Sequence, residues 1–413
     1  MILLIALALA NPTGEASFRS AITAHTPPEP MPLFGSFDAP PVAHWRVKIP
    51  GKPPTAASRT ERARPAFVGG FVLVGSSTGD ALYQLDRRTG VLVRSYPAQA
   101  SVESEPLVTD GMVYFGDTGG ILHAYAFNGD KLWEHDCDAP VIVQPTRHDD
   151  LIYVTTVDDL VLALDAQTGD IRWRHQQAPD PTRRAELALY AAPPVLIRGE
   201  HAVAGFSDGS IVALTRQEGD VAWQLRVGEG AYPDVVSEPS FVDDVVVAAG
   251  YFEPIMAFDA DSRRVLWSRP FGSANRPLVY TNEGAAIVLQ PGTDGVLRAL
   301  DLRTGEDVWT WESGREGALS TPVLTDAGVV VASSAGSIAI IDPEDGEPVW
   351  RYNPGYIVEG ISSAPSVDGR QLVFSTNGGY VVSLVAVRPP IPEAGVNVVP
   401  RPADRRSRAS GTR

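Results

Sequence analysis

The sequence predicts an all-β fold: an eight-bladed β-propeller of four-stranded antiparallel blades, the last blade closed by an N-terminal strand. Three observations predict it. A phrase of the form Ala-Leu-Asp, Thr-Gly, Trp returns along the chain. Its tryptophans are spaced as one blade requires. Apolar residues alternate over five or six positions, the period of a strand, and no stretch holds the helical period.

The fullest copies are Val161-Leu-Ala-Leu-Asp165 with Thr168-Gly169 and Trp173, and Val296 to Asp301 with Thr304-Gly305 and Trp309. Weaker copies surround Asp86, Ala126, Leu214, Asp259 and Asp342. The column runs Trp45, Val93, Trp133, Trp173, Trp223, Trp267, Trp309 and Trp350, in steps of 48, 40, 40, 50, 44, 42 and 41 residues. Each unit reads as a Pro-led apolar stretch, a second strand, a Gly turn, the Ala-Leu-Asp strand, the Thr-Gly turn and the Trp strand.

Each residue type has a mechanical reason. Asp accepts backbone hydrogen bonds in a tight turn, and Gly supplies a left-handed position. Ala leaves room for a large ring. Trp packs between sheets and its indole N–H needs a carbonyl. The last unit, ending at Tyr380 to Leu384, lacks a Trp strand, and the segment around Trp45 lacks a unit. Joined, they make the eighth blade and leave no open sheet.

The propeller is expected over residues 42–386. Residues 1–10 read as a signal-peptide remnant: nine apolar residues, Ile2 to Ala10, follow Met1, and Ala8-Leu9-Ala10 fits small-x-small cleavage. This run is far shorter than the roughly 20 residues that span a bilayer. Residues 11–41 are a Pro-rich linker, and residues 387–413 a Pro- and Arg-rich tail expected to be disordered.

Formal net charge is −16; the tail carries six Arg against two acids and residues 1–41 one Arg against three acids, so residues 42–386 stand at −18. Such a body repels phosphate backbones, which argues against nucleic acid as partner. A single cysteine, Cys137, excludes an intramolecular disulfide. The seven histidines show no metal-ligand spacing, and no phosphate loop or nucleophile elbow is present. The pairs Asp149-Asp150, Asp158-Asp159 and Asp243-Asp244 fall at expected hairpin turns, where Asp serves the backbone. No catalytic residue, metal ligand or cofactor is therefore expected.

The longest step, between Trp173 and Trp223, holds its surplus near 177–190 and ends in Leu187-Ala-Leu189-Tyr190. A long connection between blades often carries function. Those apolar residues either dock a protein partner or enter the next blade's inner strand.

The repeat resembles the quinoprotein-type propeller family over residues 42–386. That family includes quinone-dependent alcohol dehydrogenases and the non-enzymatic BamB proteins of outer-membrane assembly. The dehydrogenases typically use two adjacent cysteines, and here Cys137 is alone. The BamB branch matches better. Leu187-Ala-Leu189-Tyr190 resembles its Leu-x-Leu-Arg loop, with Tyr190 in place of Arg, and Pro233-Asp234-Val-Val236 resembles its Asp-Val-Asp loop, with Val236 in place of the second Asp. The resemblance implies that Leu187, Leu189, Tyr190 and Asp234 contact BamA-type periplasmic domains. It implies a monomeric scaffold in the periplasm, at most peripheral to the outer membrane. A propeller that binds another partner or a polymer is the alternative; a quinone-dependent dehydrogenase is the third reading.

Overall fold

The computed structural model describes residues 41–51, 60–178, 191–227, 234–251, 254–282, 284–314, 317–352 and 360–386. They form eight four-stranded sheets, each antiparallel throughout. Blade 3 is representative, with strands Thr146–His148, Leu151–Thr155, Leu160–Asp165 and Ile171–Gln176. Seven blades use consecutive strands; the eighth takes its outer strand, Pro41–Lys48, from the N-terminal side and pairs it with Tyr380–Ala386. The ring closes as the sequence predicts.

Burial explains the sequence pattern of each strand. Third strands are covered on both faces by neighbouring blades, so Leu160 to Leu164 are all buried and nearly all aliphatic. Fourth strands form the rim, and only one face meets protein. In Ile171–Gln176 the buried residue is Trp173, flanked by exposed Arg172 and Arg174. Charged residues on such an edge also discourage pairing with other chains.

The hydrophobic core lies between blades. One cluster joins Tyr114, Leu122 and Trp133 of blade 2 to Ile152, Leu162 and Leu164 of blade 3. The closing seam is built the same way, with Val373 and Val381 of blade 8 against Val72 and Val74 of blade 1. Across that seam Arg87 pairs with Asp368, and Gln371 Nε2 donates to the Arg87 carbonyl at 2.9 Å.

The tryptophans occupy one structural position. In five blades the indole strand residue pairs with the Ala of the repeat: Ala124 with Trp133, Ala163 with Trp173, Ala213 with Trp223, Ala257 with Trp267 and Ala299 with Trp309. A β-bulge follows each pair, which turns the ring toward the next blade. There the indole Nε1 donates to the carbonyl just after the turn's first residue. Trp45 reaches Arg87 O at 2.9 Å, Trp133 Ala166 O at 3.1 Å, Trp173 Arg216 O at 2.7 Å, Trp267 Leu302 O at 2.8 Å and Trp309 Pro343 O at 3.0 Å.

The Thr-Gly glycine lies under the same ring. Gly169 has φ +75°, and a Cβ there would stand 2.6 Å from a Trp133 ring carbon. The repeat's Gly therefore serves two needs, the left-handed turn and the close approach of the preceding blade's indole. The repeat's Asp holds the turn: Asp165 Oδ1 accepts from Gln167 N at 2.9 Å and Thr168 N at 3.1 Å.

One position in the column is corrected. The sequence spacing puts Val93 in the tryptophan place of blade 1, but the register there pairs Gln84 with Arg94 before the bulge. Arg94 takes the indole's role, donating Nη1 to Phe127 O at 2.6 Å. Its acceptor turn closes with an Ala126 N to Asp130 O bond, one residue shorter than the Asp86 N to Val91 O closure of blade 1. Val93 is half exposed on the rim.

Candidate partner-binding face

Antiparallel strands give the disc two unlike faces. Turns between first and second strands, and between third and fourth, lie on one face. Turns between second and third strands lie on the other, together with the connections between blades. Leu187, Leu189 and Tyr190 belong to the connection from blade 3 to blade 4 and lie outside the described residues. Asp234 belongs to the next connection, from blade 4 to blade 5, and is described.

Asp234 is only 1% exposed. Its carbonyl accepts from Tyr251 N at 3.0 Å, so its backbone is tied to blade 5. This carboxylate is part of the platform under the connections and is not itself an open contact surface.

The platform contains two further carboxylates that sequence reasoning did not bring together. Asp159, in a turn of blade 3 with φ +61°, accepts from Ser207 N at 2.9 Å and from the Ser207 hydroxyl. Asp208, in the matching turn of blade 4, accepts from Ser210 N at 2.9 Å and Gln177 Nε2 at 2.8 Å. Burial pushes the Asp159 carboxyl above its ordinary range. The Ser207 hydrogen bonds oppose that rise, and the charges of Asp208 and Asp234 add to it. Asp208 and Asp234 are buried and Asp159 is partly buried, and the first two disfavour the charged form of the third. The sequence shows Asp159 as one of a turn pair and Asp208 as an Asp-Gly turn; nothing local indicates that the ring brings them together.

A second stitch on this face joins blades 1 and 2. Asp117 is fully buried and takes hydrogen bonds from Ile121 N at 3.0 Å and, across the blade boundary, from Gln99 N at 3.1 Å. His123 Nε2 lies 2.8 Å from Asp117 Oδ2, and its ring stacks on Phe115 with centroids 5.0 Å apart. Burial alone would raise the Asp117 carboxyl; the His123 contact and the backbone donors outweigh it and hold the group below its ordinary range. Both carboxylates tie neighbouring blades together beneath the connections.

Among the described residues, no group of three His, Cys, Asp or Glu is arranged to hold a metal ion. Cys137 is buried, and desolvation pushes its thiol up to about 12, so at neutral pH it is not a thiolate nucleophile. No helix among the described residues is long and apolar enough to cross a membrane.

A family model described as outer membrane protein assembly factor BamB matches residues 42–128, 113–310 and 293–388, which together span most of the chain. The chain belongs to the BamB family. Among BamB relatives, that of Burkholderia pseudomallei is 26% identical over 328 residues, covering 77% of this chain and 82% of the relative. The BamB of Escherichia coli is 28% identical over 329 residues, covering 66% and 82%. The solved BamB of Moraxella catarrhalis superposes with a TM-score of 0.69 at 19% identity, over 84% of this chain and 99% of that one. A quinohemoprotein alcohol dehydrogenase from Comamonas testosteroni reaches 0.67 at 15% identity, over 91% and 84%. The two TM-scores are nearly equal, so the ring itself does not separate BamB from the dehydrogenase. Sequence similarity along the repeats does, and it falls on BamB.

Proposed function

We propose that this chain is a non-enzymatic periplasmic scaffold that aids assembly of outer-membrane β-barrel proteins by binding a protein partner, with BamA-type periplasmic domains as that partner. The observation that carries the reading is the BamB family match across residues 42–388. The absence of enzymatic activity is supported by the sequence, whose one cysteine cannot form the adjacent pair typical of the quinone enzymes.

The binding surface is the face with the interblade connections. Its apolar element is Leu187-Ala-Leu189-Tyr190, and the same face carries the buried Asp208 and Asp234 and the partly buried Asp159. Apolar and tyrosine side chains on a rigid base suit a docking surface, because little conformational entropy is lost on binding.

The test is retention on immobilised BamA periplasmic domains. Wild-type chain is expected to be retained, and Leu187→Glu with Leu189→Glu to be lost while the circular dichroism stays that of a β-sheet protein. Asp234→Asn is expected to weaken retention less, because its side chain is buried. Retention unchanged by the double glutamate variant would overturn the assignment of the loop. No retention of the wild type would overturn the partner.

A further inference from the structure

Trp350, alone in its column, has no closed turn in the following blade to rest on. It lies on the outer strand of blade 7, Pro348–Tyr352, and the following blade is the split one. Register shows what stands there instead. Gln371 pairs with Val385 as Leu151 pairs with Asp165, and Ala386 N donates to Arg370 O as Ala166 N donates to Asp150 O. The Ala386 carbonyl is therefore the indole acceptor's counterpart, and it is taken by Arg370 Nε at 2.8 Å.

Counting on from this register, Val385, Arg388 and Pro389 stand where blade 3 has Asp165, Thr168 and Gly169. There is no carboxylate to nucleate the turn, and proline cannot take positive φ. The fourth strand of this blade is supplied by Pro41–Lys48 instead. Trp350 is half-buried, as are Trp45 and Trp223, and is stacked on Tyr352, ring centroids 5.8 Å apart; Trp133, Trp173, Trp267 and Trp309 are buried. Beside it Val349 is 61% exposed, level with Val91 as the most exposed of the large aliphatic side chains among the described residues.

The adjoining turn of blade 7 is Asp342-Pro343-Glu344-Asp345-Gly346-Glu347. None of its four carboxylates forms an ion pair among the described residues. Asp342 and Val385 hold equivalent register positions in neighbouring blades. The chain thus leaves blade 8 at the level of this acidic turn, one blade away. The residues that follow carry Val387 and Ile391 first and then most of their six arginines, against two acids.

We propose that residues 387–413 dock on this corner of their own molecule. Val387 to Ile391 cover Val349 and Trp350, and the arginines pair with Asp342, Glu344, Asp345 and Glu347. Reach is ample: the fifteen residues from Ala386 to Arg401 extend up to about 50 Å, against roughly 10 Å between packed sheets. Tethering raises the local concentration to the millimolar range, so a weak contact suffices. The charge component is screened within about 8 Å at physiological salt. The tail is then a salt-sensitive strap on the outer wall of blade 7, separate from the proposed partner-binding face.

The test uses a fluorescein-labelled peptide of residues 387–413 and the chain ended after Ala386, which retains every strand of the eight sheets. Anisotropy is expected to show binding to this chain. Affinity should fall at least tenfold in Glu344→Lys/Asp345→Lys/Glu347→Lys, and at least tenfold in Val349→Asp. The full chain, its site occupied, should bind the peptide at least tenfold more weakly than the shortened one. Absence of binding overturns the proposal. So does binding that the charge reversal leaves unchanged, which would mean attraction to the acidic body at large, or equal binding by full and shortened chains.

Discussion

Replacing Gly169 by Ala separates the two roles of the repeat's glycine when it is compared with Gly111→Ala. The two residues have almost the same backbone, φ +75° and +74°. An alanine in the left-handed region costs about 1–2 kcal/mol. At Gly111 nothing lies within 4 Å of the new Cβ, so that strain is the whole effect. At Gly169 the new Cβ meets Trp133 ring carbons at 2.6 and 2.8 Å, about 1 Å inside ordinary carbon–carbon contact. The ring must shift in a core where overpacking costs about 1–3 kcal/mol. Its Nε1 bond to Ala166 O, now 3.1 Å, is strained or lost for about 1 kcal/mol more. Gly169→Ala should therefore destabilise by about 2–4 kcal/mol beyond Gly111→Ala. Urea denaturation followed by far-UV circular dichroism measures the difference. Agreement of the two variants within about 0.5 kcal/mol would refute the claim that the glycine is required by the neighbouring indole.

The remaining predictions concern the places where the repeat is broken or strained. Blade 5 carries Arg263, φ +59°, at the glycine position of its turn, and the facing Trp223 is only half-buried. Arg263→Gly should relieve about 1 kcal/mol of strain and shift Trp223 fluorescence to the blue as the ring sinks; an unshifted spectrum and unchanged urea midpoint would count against it. Asp117 is held below its ordinary range, so its contribution to stability is complete above the unfolded carboxylate pKa and is lost as pH falls through the lower folded value. Asp117→Asn should therefore flatten the acid limb of the stability curve below about pH 4, and an acid limb as steep as in the wild type would exclude this carboxylate as its source.

Much of the ring was legible because its key contacts are periodic. Each indole meets the next blade's turn a fixed distance along the chain, so Trp, Asp and Gly recur in step. Where a contact uses a different residue type, periodicity fails. Arg94 escaped notice because a guanidinium leaves no aromatic signal, and the bulge moved the true position one residue past Val93. The serine ties between the segments entering blades 2 and 5 and the second strands of those blades were also hidden. Ser104 Oγ donates to Gly116 O at 2.9 Å and Ser237 Oγ to Ala249 O at 3.1 Å, each across twelve residues that span a turn. Asp234 shows a different limit. A carboxylate in a connection reads as a surface group, yet packing of consecutive blades buries it where its charge acts on Asp159 together with that of Asp208.

Eight near-identical blades create a difficulty for recognition, since a surface repeated eight times offers no unique address. Specificity has to come from departures. The connection between blades 3 and 4 is one departure, since it holds the longest step of the repeat, and Asp159, Asp208 and Asp234 of blades 3 to 5 lie on the same face of the disc. The split blade is another: there the turn that should seat Trp350 is replaced by the chain's exit beside an acidic turn. These two departures lie on opposite faces of the disc. A partner held on one face leaves the other free, so the strap can be released or fixed without competing for the connection loops. This separation follows from strand direction alone: an outer strand entering from the N-terminal side must meet the chain's exit on the face away from the connections between blades.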